Sequence, residues 1–288
     1  MSEASSIDNG RLSNPIFPPW HASLFVGMLL GLALVTLPKD LDELATVATF
    51  TRRIFPELLS LPALAIVRLG IATCCWAVTI HMVTACSWPI DTTYRPESRL
   101  QNTTLHMFGL RTLCPFTSWA WIMLASTFTL TGYIALMAHL GREQEVSQWV
   151  LRVALVLWEL SAPFAILVSA VVRYAIWPVV LASGKRHGLA SFRNQMQHNI
   201  NSVYALSEMA LLGGLPVNFS HLSLPCLLGS IYILFSWFSC YFYAEPEYGP
   251  QYLYWFMDPT LGKTSTVALL ALLLALILSF AVFFAIDA

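Results

Sequence analysis

Apolar positions gather into seven stretches along this chain, at about 20–37, 61–87, 115–139, 148–182, 197–217, 221–243 and 264–286. An α-helix crosses the hydrocarbon core of a bilayer in about 20 residues, so each stretch predicts a spanning helix. The first, WHASLFVGMLLGLALVTL, is the shortest of them. The fourth is too long to cross squarely at about 1.5 Å of rise per residue. It holds Pro163 and Pro178, so a kink at a proline or a run along the interface is expected. Between the first two stretches, PKDLDELATVATFTRRIFPELLS mixes charged with apolar residues and suits an amphipathic helix lying in the interface. The fold class expected is all-α, a polytopic transmembrane helical bundle of about seven spans. Residues 1–60 would hold a tail, the first span and the interfacial segment, and residues 61–288 a six-span core.

Composition agrees with the pattern. Hydrophobic residues make up 57% and charged residues 11% of the chain, against about 25% charged in soluble domains. Mean hydropathy is +0.66. An integral, multi-pass location with membrane lipids as partners follows, and a net charge of −1 gives no reason to expect nucleic acid. The first residues, MSEASSIDNGRLSNPIFPPW, lack a basic region running into an apolar one, so a tail ending at an interfacial Trp20 is expected rather than a cleaved signal. Arg11, Arg95, Arg99, Arg111, Lys185, Arg186, Arg193 and Lys263 fall on one set of alternate loops, and Lys39, Arg52, Arg53 and Arg142 on the other. The excess of basic residues places the N-terminus in the cytosol. The six cysteines form no C-x-x-C pair, so buried free thiols are expected and no metal.

Chemistry enters with the polar residues inside the runs. Arg68, Arg152, Glu159, Arg173 and Glu208 lie in or near apolar stretches. Each would cost about 2.5–3.5 kcal/mol at the bilayer centre, so they should face the bundle interior and pair. Arg152 and Glu159 stand two turns apart on one helix face. In MQHNINSVYALSEMALL, His198, Asn201, Ser202 and Glu208 recur at helical spacing and form one polar stripe. The stripe suits either hydrogen bonding between helices or a general base, His198, beside a lipid-accessible cavity. CPFTSWAW places Thr117 and Ser118 just after Pro115, where a hydroxyl would cap a helix. Threonine becomes a nucleophile only with a base at hand. Gly262-Lys263-Thr264 is not a phosphate loop, because Met257 stands where that motif needs glycine. The histidines show no paired spacing for haem, and no cofactor is expected.

HNINSVYALSE, LPVNFSHLSLP, GSIYILFSWFS and YWFMDP follow one another in an order that resembles the androgen-induced protein / rolling stone family of multi-span membrane proteins. His198 and Glu208 show its ten-residue spacing, Tyr232 lies in the next span, and Tyr254, Asp258 and Pro259 close the pattern. FTSWAW is similar to a threonine-bearing entry to an earlier span, with Ser118 in place of the asparagine of the rolling stone branch. The resemblance covers about 61–288 and implies a six-helix core. In the androgen-induced branch it implies hydrolysis of fatty acid esters of hydroxy fatty acids. Thr117 would then be the nucleophile and His198 the base, with Asn201, Ser202, Glu208, Trp119, His221, Tyr232 and Asp258 as supporting residues. Asn201 or a backbone N–H would steady the oxyanion. Glu208 lies about 15 Å along a helix from His198 and is expected to pair with an intramembrane arginine instead. The rolling stone branch, which this chain resembles more, is associated with cell fusion. The alternative is a non-catalytic accessory or assembly subunit of a larger membrane complex, with protein partners.

Overall fold

A computed structural model describes residues 17–182, 191–242 and 249–287. Most of the expected N-terminal tail, the basic loop at 183–190 and part of the aromatic loop near 243–248 lie outside the described residues. The chain is mostly helical. Its long elements are α1 (Trp20–Val35), α4 (Leu61–Ala85), α5 (Phe116–His139), α6 (Gln148–Val171), α10 (Ser223–Ser239) and α11 (Lys263–Asp287). Short helices α2 (Leu41–Leu44) and α3 (Val47–Thr51) precede α4, and α7 (Trp177–Ala182) continues α6. Helices α8 (Phe192–Gln195) and α9 (Asn201–Ala210) flank a π turn. Five helical segments are long and apolar enough to cross a membrane: Leu61–Ala85, Phe116–His139, Gln148–Ala182, Phe219–Ser239 and Lys263–Asp287.

The two remaining stretches differ from expectation. The first forms a 16-residue helix, shorter than those five. The fifth is helical only as far as Ala210, yet Leu215 and Val217 beyond it stay buried in irregular backbone. Gly213 and Gly214 follow the helix, and Gly214 adopts φ +59°, a conformation open to glycine. The long fourth stretch does not stop at Pro163, which sits inside α6. It widens instead into a π turn at Val172–Ile176, just before Pro178. A proline lacks the N–H for the helical bond and crowds the preceding turn, and a local π turn relieves both.

The fold is consistent with the all-α expectation, with one short hairpin added to the helices. Strands β1 (Ser87–Asp91) and β2 (Thr104–Phe108) pair antiparallel, with Trp88 opposite Met107 and Ile90 opposite Leu105. Leu105 and Met107 point inward while Thr104, His106 and Phe108 face out, the period-two alternation of a half-buried strand. The hairpin lies at the end of the bundle where α5 begins. There Tyr94 donates to Gln251 Oε1 at 3.1 Å and accepts the Tyr252 N–H at 2.6 Å.

The segment expected as an interfacial helix covers the other end. Arg152 grips Asp42 with two bonds of 2.5 Å, and Gln148 donates to the Ala45 carbonyl at 3.0 Å. Arg152 therefore pairs with Asp42 and not with Glu159. Those bonds from Arg152 and Gln148 hold the Asp42 carboxyl down at about 2. Phe50 is fully buried and the Ile54 N–H reaches the Leu212 carbonyl at 2.9 Å. Side-chain oxygens start the helices: Thr46 accepts from Thr49 N, Ser60 from Ala63 N and Ser147 from Val150 N. Helices α4 and α5 cross closely at Gly132, where a Cβ would stand 2.9 Å from Leu69 Cγ. Among the cysteines, Cys75, Cys226 and Cys240 are buried, Cys74, Cys86 and Cys114 are half-buried, and all six are free thiols.

Candidate functional site

Helix α5 starts at Phe116 because Pro115 ends the preceding turn and cannot extend the helix backwards. Pro115 also offers no side-chain oxygen, and neither Thr117 nor Ser118 caps the helix as expected. Ser118 Oγ turns back to the Thr112 carbonyl at 2.8 Å. The Tyr254 hydroxyl lies beside the N–H groups of Phe116 and Thr117 and the side chains of Thr117 and Tyr232. Burial pushes the Tyr254 phenol above its ordinary value, so it remains neutral at physiological pH. Tyr232 in turn donates to the Cys114 carbonyl at 3.1 Å.

Thr117, Tyr232 and Tyr254 help line a cavity of about 100 Å³. Its walls are apolar, from Phe25 of α1, Phe164 and Val168 of α6, and Leu273 of α11. Phe116, Trp119 and Tyr232 pack edge to face at centroid distances of 4.8 and 5.2 Å, which makes that wall rigid. An apolar chamber with a few convergent polar groups is the usual form of a small-molecule site. Thr117 is part of the cavity wall and is buried.

His198 is placed differently. It sits on the π turn Met196–Ile200 and is not among the cavity-lining residues. Helix α6 shows Phe164, Leu167, Val168 and Val171 to the cavity and Ala165 and Ser169 to α9. The Ser169 hydroxyl donates to the His198 carbonyl at 2.5 Å. Asn201 donates to the Ala165 carbonyl at 3.3 Å and Ser202 to the same carbonyl at 2.8 Å. Asn201 and Ser202 thus dock α9 on α6. Among the described residues, the buried His198 Nδ1 has no hydrogen-bond partner, and no hydrogen bond links His198 to Thr117.

Glu208 meets an arginine, as expected. Arg68 Nε and Nη2 hold its two carboxylate oxygens at 3.0 and 2.5 Å, and both side chains are fully buried. Arg68 Nη1 also donates to the carbonyls of Phe50 and Thr131, and the Gly213 N–H reaches Glu208 Oε1 at 3.2 Å. His221 is buried between Glu159 and Asp40, remote in sequence from both. Asp258 is structural: it accepts from Ser98 Oγ at 2.5 Å and caps the turn Pro259–Leu261 through Thr260. Among the described residues no group of three His, Cys, Asp or Glu side chains could hold a metal ion.

Sequence reasoning placed Tyr254 in a motif but gave it no role, and it gave none to the cavity walls on α1 and α11. The signal for Tyr254 was present in Pro115, whose position leaves the first N–H groups of α5 in need of a partner from elsewhere. Comparison with family models, with characterised proteins and with solved structures finds no match to this chain. Fold and site define a class: a mostly helical protein with five helices fit to cross a membrane and a largely apolar interhelical cavity with hydroxyl-bearing residues in its wall.

Proposed function

We propose that this chain is an integral, multi-pass membrane protein of the androgen-induced protein / rolling stone type that draws the acyl chain of a lipid ester into the cavity and cleaves the ester at Thr117. The observation that supports this reading most is Thr117 in the wall of a largely apolar cavity. The entering ester displaces the Tyr254 contact from Thr117. His198 takes the Thr117 proton through a chain of water molecules as Oγ attacks the ester carbonyl carbon. The bond to the alcohol oxygen breaks, the alcohol leaves with that proton, and water then releases the fatty acid from the threonine ester. Tyr254 donates toward the oxyanion. The π turn under His198, with its unpartnered Nδ1, supports this reading, since such turns occur often at functional sites.

A second reading, lipid binding without hydrolysis by an accessory subunit, draws support from the contact of Thr117 with Tyr254 and from the place of His198 behind α6. One experiment separates the two. The purified full chain is assayed for lipid ester turnover and fluorophosphonate labelling, and its retained lipids are measured by mass spectrometry. Thr117→Ala and His198→Ala should each lower turnover by roughly a hundredfold or more. Gly229→Trp, which fills the cavity, should abolish lipid retention. Labelling and turnover unchanged in both alanine variants remove the hydrolase, and lipid retention unchanged in Gly229→Trp removes both readings.

A further inference from the structure

At the end of the bundle remote from Thr117, His221 is fully buried with a carboxylate on each ring nitrogen. Nδ1 stands 2.6 Å from Glu159 Oε2, and Nε2 stands 3.0 Å from Asp40 Oδ1. Glu159 is fully buried on α6 and spends its other oxygen on the Asn218 N–H at 3.0 Å. The Asp40 side chain is 41% exposed and opens the segment 36–60. That segment roofs the buried Arg68–Glu208 pair through the Phe50 carbonyl.

Counting protons decides what this arrangement can be. A neutral imidazole has one donor nitrogen and one acceptor nitrogen, whereas a carboxylate only accepts. Two hydrogen bonds from one ring to two carboxyl groups therefore require two protons among the three side chains. With one proton fewer, a nitrogen lone pair faces a carboxylate oxygen, and the contact becomes repulsive. Glu159 is held by the Asn218 N–H and enclosed by the bundle, so Asp40, which reaches water, is the group that leaves. We propose that Asp40, His221 and Glu159 form a proton-binding site that fastens the segment 36–60 over the polar interior, and that loss of one proton releases the segment and admits water at that end. This goes beyond the hydrolase reading and does not depend on it.

The other charged groups around the ring already have their own contacts or face solvent. Arg152 on α6 is held by Asp42, Asp287 on α11 bonds the Val217 N–H and lies near Arg52, and Lys39 is exposed. Among the described residues, Asp40 and Glu159 are the charged groups that hydrogen-bond the imidazole. The Asp40 carboxyl is held below the usual carboxylate range, first by its hydrogen bond from His221.

The test is hydrogen exchange of the full chain in detergent, followed over residues 36–60 between about pH 6 and about pH 9.5 and corrected for intrinsic exchange. Protection of this segment should fall roughly tenfold or more across one titration step, the loss of one charge-assisted hydrogen bond. Asp40→Ala should show low protection at every pH and no step, with protection of α6 unchanged. Glu159→Gln makes the opposite prediction. Its amide can donate to Nδ1 while its oxygen keeps the Asn218 bond, so a neutral imidazole satisfies both neighbours with one proton of its own. The segment should then stay protected through about pH 9.5. A flat profile in the parent chain overturns the proposal, as does a step that survives in Asp40→Ala or in Glu159→Gln.

Discussion

Glu208→Ala is expected to lower the stability of the detergent-solubilised chain by about 3–5 kcal/mol, because it strands a buried guanidinium. Arg68 is fully buried on α4 and Glu208 on α9, 140 residues away. With Glu208 gone, Arg68 keeps only the carbonyls of Phe50 and Thr131, neutral acceptors for a full charge. Arg68→Ala should be comparably damaging, since it leaves a carboxylate with one backbone donor, the Gly213 N–H. The double variant Arg68→Leu, Glu208→Leu should recover most of the loss. The attraction of a buried pair roughly offsets its desolvation, so hydrophobic replacement of both partners is often neutral or better. Thermal or SDS unfolding of the four proteins checks this. A single-variant loss below about 1 kcal/mol would show that water reaches the pair.

That pair shows what the sequence could and could not convey. A charge in an apolar run must find a partner, so the pairing of Glu208 with an intramembrane arginine followed from the sequence. For Arg152 and Glu159 the same rule named no partner, because spacing on one helix says nothing of what approaches from elsewhere. Asp42 arrives from the roof segment, and His221 from the loop before α10. The five long helices were visible as apolar runs. The apolar run also continued past Ala210, where the structure keeps burial and abandons helix. Apolarity signals burial, and Gly213-Gly214 was the local sign that the backbone changes course. The hairpin escaped notice because each strand is five residues long, too short for alternation to stand out from chance. The members of the polar stripe divide. Asn201 and Ser202 serve helix packing, while the His198 ring nitrogen is left without a partner. Thr117 was found, but its companion Tyr254 lies more than a hundred residues on and could be placed only by the fold.

Gly213→Ala is the second severe change expected, of about 3 kcal/mol, comparable with breaking the buried pair itself. Gly213 does not need glycine for its dihedral angles, since its φ lies outside the left-handed range. What forbids a side chain is space: a Cβ would collide with Arg68 Nη2 and with Glu208 Oε1. The Gly213 N–H is itself one of the donors to Glu208, so the backbone cannot retreat without giving up that bond. Any relaxation must therefore loosen the ion pair. It follows that the cost depends on the two side chains and should fall below about 1 kcal/mol in an Arg68→Ala, Glu208→Ala background. Gly70 supplies the contrast. It lies inside α4 on an exposed face, and a Cβ there meets nothing within 4 Å. Gly70→Ala should stabilise the chain by up to about 1 kcal/mol through helix propensity alone. A double-mutant cycle on unfolding free energies checks the coupling. Equal costs for Gly213→Ala with and without Arg68 and Glu208 would mean that the strain resides in the backbone at 211–214 and not in the pair.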